Sequence, residues 1–324
     1  MRIIKRYLYT AIFVILVFLM IAFFYYKQNL KQKDNKQINE QSEWFVDKNG
    51  YLSYPSNRDP VKFNRQDFDK NESLLVSRII YQSRNGNIYG FLVTPTSATD
   101  LVPGIIFLPG AGVSKESKLE LAIQIAELGA AILVIDQRGT GETDGEFPTL
   151  DEDFKSFLSK REPYQHLMVY DVLRAFDLLD DSPFVDSNRI IVAGESLGGR
   201  IAVMAAAIEK NINGVLVISS AGFDFKDKGD ADKDRFINSI DSDHYIGLIT
   251  PRKIVMIHSI NDTIIPISSA ANSFSKAEEP KRFILINDTS CKHGYCDAMW
   301  GGLVEALDYL IDIRSQTITS VPVE

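Results

Sequence analysis

A serine hydroxyl is a weak nucleophile at neutral pH, and a chain that uses one must also supply a base for its proton. Ser196 sits in Gly194-Glu195-Ser196-Leu197-Gly198, a G-x-S-x-G. It lies between the short β-branched run Ile190-Ile191-Val192-Ala193 and the helix-forming stretch Gly199 through Glu209. In a turn that tight the serine is strained with its hydroxyl exposed, and side chains at the flanking glycine positions would strike the strand or the helix. The base must be a histidine, and the chain has four. His166 falls within a helical pattern, His244 in a polar insertion, and His258 at the end of an apolar strand. His293, in the short polar loop C-K-H-G-Y-C, is the candidate that the resemblance described below singles out. A carboxylate must then fix the imidazole tautomer and stabilise its cation. Asp262, in a loop closed by Pro266, is the predicted partner, with Asp288 as its rival.

Cys291 and Cys296 bracket His293. A single C-x-H-x-x-C cluster is a poor zinc site and would consume the base, which leaves a disulfide bracing the loop or two reduced thiols. The acidic segment Asp224–Asp234 lacks the ligand spacing of a calcium loop. No metal and no cofactor is expected.

These residues need a frame. Leu74–Gln82 and Ile88–Pro95 read as two strands joined through Asn85-Gly86, a hairpin signal. Gly104–Leu108, Ala131–Asp136, Gly214–Ser219, Lys253–His258 and Arg282–Ile286 read as buried strands. Between and after them lie helical patterns over about 115–128, at Tyr164–Asp180 behind Pro163, and at Trp300–Arg314. Strand-helix alternation of this kind implies right-handed crossovers and a parallel sheet covered on both faces.

With D-Q-R-G-T-G from Asp136, D-V-L-R-A-F-D-L-L from Asp171, V-D-S-N-R-I from Val185 and H-S-I-N-D-T-I-I-P from His258, the chain resembles an α/β-hydrolase. It looks most like the branch of dienelactone hydrolases, acetyl xylan esterases and prolyl-oligopeptidase-type catalytic domains. The resemblance covers roughly 74–314. It implies a mostly parallel, doubly wound sheet with an antiparallel N-terminal hairpin, and a catalytic order Ser196, Asp262, His293. It further implies an oxyanion hole of backbone N–H groups, from Leu197 and from Ala111 or, failing that, Gly112. The usual H-G-x-G is here Pro109-Gly110-Ala111-Gly112, and the usual Gly after His258 is Ser259. Asp136 and Arg138 are expected to be a structural pair shaping the neighbouring loop. The implied reaction is hydrolysis of a carboxylic ester through an acyl-enzyme. Peptide hydrolysis, acyl transfer, and a catalytically silent binding protein of the same fold are the alternatives.

The 324 residues suffice for one large domain and an appendage, and a net charge of -8 argues against a nucleic-acid partner. Tyr7–Tyr26 is 20 residues without a charge, and as a helix it would span about 30 Å, the thickness of a bilayer. It reads as an uncleaved membrane anchor within a segment 1–26, followed by a polar tether at 27–42 and a tail at 316–324. Residues 43–73, rich in aromatics, are expected to pack on a catalytic domain spanning 74–315. The charged insertion 221–250 reads as a solvated rim or small lid. Arg2, Lys5 and Arg6 precede the anchor while Lys27, Lys31, Lys33 and Lys36 follow it, so the charges nearly cancel; the short basic leading segment points to a cytoplasmic head, and the catalytic domain is expected outside. The sequons at Asn261 and Asn287 border the catalytic loops, so a glycan would obstruct chemistry and a bacterial-type cell surface is expected.

Overall fold

The computed structural model describes residues 43–70, 72–96, 98 and 100–313. The chain divides into two compact units. The first, Met1–Phe45 with Ser53–Arg58, is described only at 43–45 and 53–58, where the Ser53 hydroxyl donates to the Phe45 carbonyl at 3.4 Å. The expected anchor, the tether and the tail lie outside the described residues. Among the described residues no helix is long and apolar enough to cross a membrane.

The second unit, Val46–Leu52 with Asp59–Glu324, is built on a nine-stranded sheet. Its strands are β1 (Phe63–Lys70), β2 (Leu74–Ser83), β3 (Gly86–Pro95), β4 (Val102–Leu108), β5 (Ala131–Ile135), β6 (Val185–Glu195), β7 (Gly214–Ile218), β8 (Lys253–Ser259) and β9 (Lys281–Ile286). The spatial order is β9-β8-β7-β6-β4-β5-β3-β2-β1. Strands β4 to β9 run parallel, while β1 to β3 are antiparallel and β3 joins the rest through β5. The antiparallel part thus holds three strands where the sequence pattern indicated two, and it begins at Phe63 rather than Leu74. Every residue of β1, F-N-R-Q-D-F-D-K, is exposed. A polar edge strand buries neither face, so it carries none of the alternation by which strands are read.

The central strands are buried along their whole length, as the apolar runs require. Helix α1 (Leu119–Glu127), after a single 3-10 turn at Lys115–Lys118, and the closing α8 (Trp300–Ile311) share one apolar cluster with Phe107, Val134, Ala193 and Ile257. Helices α3 (Tyr164–Asp180) and α4 (Leu197–Ile208) pack on β6 and on each other. Three further helices, α2 (Leu150–Leu158), α5 (Ala231–Ile240) and α6 (Ser242–Tyr245), arise within segments read as loop or rim, and α7 (Ile267–Lys276) follows Pro266. The insertion 221–250 is therefore not a solvated rim. Phe236, Ile237, Ile240, Tyr245, Ile246 and Ile249 are buried beneath a charged outer face. From the stretch before the sheet, Tyr51 stacks on His244 with ring centroids 4.0 Å apart, and the Leu52 amide donates to the Tyr245 hydroxyl.

Candidate active site

Strand β6 ends at Glu195 and α4 begins at Leu197, so Ser196 makes the whole turn alone, at φ 53 and ψ -120. Such a backbone costs about 1–3 kcal/mol for a non-glycine residue and must be held from outside. The Ser196 amide donates to the Ile218 carbonyl at 3.0 Å, and the Ser196 carbonyl accepts from the Ser220 hydroxyl at 2.6 Å. The flanking glycines have no alternative. A Cβ on Gly194 would lie 2.3 Å from the Gly198 carbonyl oxygen, and one on Gly198 would lie 2.2 Å from that of Leu108.

The Ser196 hydroxyl oxygen is 2.9 Å from His293 Nε2, and His293 Nδ1 is 3.0 Å from Asp262 Oδ2. Because the carboxylate can only accept, Nδ1 carries the proton and Nε2 turns a lone pair towards the serine. Asp262 Oδ1 also accepts from the amides of Ile264 (2.9 Å) and Ile265 (2.8 Å). Burial works against its ionised form, but the two amides and His293 outweigh it and hold the carboxyl below the ordinary value. Asp288 takes no part; it is spent on the amide and hydroxyl of Ser290.

The loop carrying His293 is fastened on several sides. Cys291 and Cys296 are joined as a disulfide with Cα atoms 5.6 Å apart, the Lys292 carbonyl accepts from the Thr263 amide at 2.7 Å, and the Gly294 carbonyl accepts from the Ser219 hydroxyl at 3.3 Å. None of the other histidines touches the serine, although His258 Nε2 lies 3.8 Å from Asp262 Oδ2. His258, fully buried, has Nε2 2.9 Å from the Ile265 carbonyl oxygen and so donates to it, and His166 Nε2 lies 2.8 Å from the Ser239 hydroxyl.

After β4 the chain turns at Gly110–Val113, the Val113 amide donating to the Gly110 carbonyl at 3.1 Å with Gly112 at φ +71. A positive φ at the third position is what a type II turn demands and glycine supplies freely. Ala111 and Leu197 border the same cavity as Ser196, of about 540 Å³; Gly112 does not. An arrangement of this kind can deprotonate a serine as it attacks a carbonyl and receive the resulting oxyanion on main-chain amides.

Residues 49–228, more than half of the chain, match the model of the acetyl xylan esterase (AXE1) family. The chain belongs to that family. It is a carboxylic ester hydrolase. Among solved structures, the acetyl xylan esterase from Paenibacillus sp. R4 is similar at TM-score 0.66 with 20% identity, over 78% of this chain and 90% of that one. Acetyl xylan esterase 1 from Thermoanaerobacterium sp. JW/SL YS485 gives TM-score 0.63 with 16% identity, over 78% and 89%. At such identities these show the fold alone. Among curated proteins, the uncharacterized protein YfhR of Escherichia coli O157:H7 is 27% identical over 170 residues, 48% of this chain and 60% of that protein. The acetyl xylan esterase match ends before Asp262 and His293, so their placement here rests on the geometry.

Three side chains around this esterase site were not picked out by residue pattern. Glu195, buried at the variable position of the motif, accepts from the Gly110 amide (3.3 Å) and the Tyr295 amide (3.0 Å) and pairs with Lys118 (2.8 Å). It thereby ties the Gly110 turn, the His293 loop and the serine together. Arg200, alone as a charge in an apolar helix, lines the cavity, and that isolation was the available signal. Asp153, one acid among several between 139 and 153 and placed on helix α2, also lines the cavity and accepts from the Tyr164 amide at 2.6 Å.

Asp136 and Arg138 do not pair with each other. Asp136, fully buried, takes the Lys115 amide (2.7 Å), the Lys115 ammonium (2.8 Å) and the Glu142 amide (3.0 Å). Arg138 grips Asp171 through two bonds of 2.7 Å. The chain leaves the sheet at β5, and past its end the two side chains are carried to separate partners.

Proposed function

We propose that the chain hydrolyses carboxylic esters through an acyl-enzyme on Ser196, with His293 as base and Asp262 as its orienting carboxylate. The observation that carries this is the continuous chain from Asp262 through His293 to the Ser196 hydroxyl, with no link longer than 3.1 Å. His293 Nε2 takes the hydroxyl proton as Ser196 attacks the carbonyl carbon, and returns it to the departing alkoxide. It then takes a proton from water, whose oxygen attacks the acyl carbon, and gives that proton back to the serine. The Leu197 and Ala111 amides hold the oxyanion in both halves. Ser196→Ala is expected to abolish ester turnover and labelling by a fluorophosphonate probe; labelling that persists in the variant would overturn the assignment.

The same reading keeps the protein at a membrane, tethered by the apolar run Tyr7–Tyr26, with the esterase domain on the oxidising side. The Cys291–Cys296 disulfide supports that side, since such bonds persist in extracytoplasmic compartments. Protease added to intact cells is expected to digest the domain. A protected domain with two free thiols would reverse the orientation.

A further inference from the structure

Helix α4, L-G-G-R-I-A-V-M-A-A-A-I, holds one charged residue, Arg200, in twelve. A guanidinium set among apolar groups is costly unless something neutralises it. Among the described residues no carboxylate lies within ion-pair distance of Arg200. One Nη2 hydrogen goes to the Gln165 side-chain oxygen, the Phe223 ring lies 4.1 Å from Cζ, and the buried Nε has no acceptor. The acids that attract it from further off are already engaged: Asp241 with the Phe223 and Asp243 amides, Asp243 with Lys276 at 2.6 Å. Burial accordingly pulls the guanidinium down to about 10, still charged at neutral pH.

This unneutralised cation lies one helical turn from Ser196, on the helix face that residues four apart share, and lines the same cavity of about 540 Å³. The walls beside it are apolar, formed by Phe147, Phe223 and Ile264. Asp153, the one acid on the lining, makes no ion pair with Arg200; it is buried and its Oδ1 accepts from the Tyr164 amide at 2.6 Å.

We infer that Arg200 receives a carboxylate carried by the substrate, so that the preferred esters are anionic. The inference rests on the esterase reading of Ser196. Arginine suits the role because its planar donors match a carboxylate in two places. The anionic group can belong to the acyl arm or to the alcohol arm, and the two are separable.

For the acyl arm, p-nitrophenyl monoesters of succinic, glutaric and adipic acid are compared with uncharged p-nitrophenyl butyrate, valerate and hexanoate. For the alcohol arm, para-acetoxyphenylacetate is compared with its uncharged amide. The anionic member of at least one pair should be favoured in kcat/KM by about tenfold or more, the effect expected of a charge-assisted hydrogen bond. In Arg200→Gln the anionic-to-neutral ratio should fall by a similar factor, and in Arg200→Lys it should recover in part. Wild-type enzyme that favours no anionic member, or a ratio that survives Arg200→Gln, overturns the inference while the esterase reading stands. If wild type turns over none of these esters, charged or uncharged, the esterase reading fails first.

Discussion

Asp262 meets three donors at once, the His293 ring and the amides of Ile264 and Ile265. Its charge is fixed by backbone geometry as much as by the imidazole. Asp262→Asn would keep the shape but could present an N–H to Nδ1, which favours the tautomer with its proton on Nε2, where the serine needs a lone pair. We expect kcat to fall by on the order of 10³–10⁴-fold with little change in KM, as steady-state kinetics would show. Glu195 acts one step further back. It touches no substrate, but it joins the Gly110 turn to the His293 loop, so Glu195→Gln should displace both and leave Lys118 without a counter-charge. A fall in kcat of roughly tenfold to a hundredfold at near-constant KM is expected, whereas a purely structural role would lower only the melting temperature. The contact of Ser196, His293 and Asp262 could be anticipated from sequence because each stands in a short turn, in the chain order that the resemblance implies. Glu195 could not, because its partners lie 85 and 100 positions away in the chain.

Between strand and helix the decisive constraint is space. A Cβ on Gly198 would sit 2.2 Å from the Leu108 carbonyl oxygen and 2.6 Å from that of Pro109, atoms of the strand end that leads into the oxyanion turn. Gly198→Ala should therefore push β4 and α4 apart, costing roughly 3 kcal/mol in urea unfolding and most of the activity. A Cβ on Gly301, in α8, would meet nothing within 4 Å, and Gly301→Ala should stabilise by about 0.5 kcal/mol through helix propensity alone. Equal effects at the two sites would show that the elbow is not set by sterics. Elements whose burial the sequence encodes, such as β5 and β7, could be read directly. The helices α2 and α5 could not, because charged residues on their outer faces hide a narrow buried stripe of Phe157, Phe236 and Ile240.

Across the whole molecule the insertion and the sheet are joined at a buried histidine. His166 on α3 is fully buried and lies 2.8 Å from the Ser239 hydroxyl on α5, and burial lowers its pKa from 6.5 to about 3. A histidine that cannot take a proton when folded, but can when unfolded, draws protons into the unfolded state between those two values. Stability is then complete above about pH 6.5 and is lost as the pH falls. By pH 5 the loss from this residue approaches about 2 kcal/mol, at about 1.4 kcal/mol for each pH unit below the unfolded value. His258 and His244 are lowered by burial too and act in the same direction. The carboxyls of Asp153, Asp171 and Asp241 are raised by burial and act in the opposite direction, which makes the comparison with a His166 variant the informative one. Urea midpoints measured from pH 7 to pH 5 should therefore decline steadily in the wild type. His166→Gln should start lower at pH 7, for lost packing, and decline less steeply. Parallel slopes in the two proteins would mean that His166 does not carry the acid sensitivity of the fold.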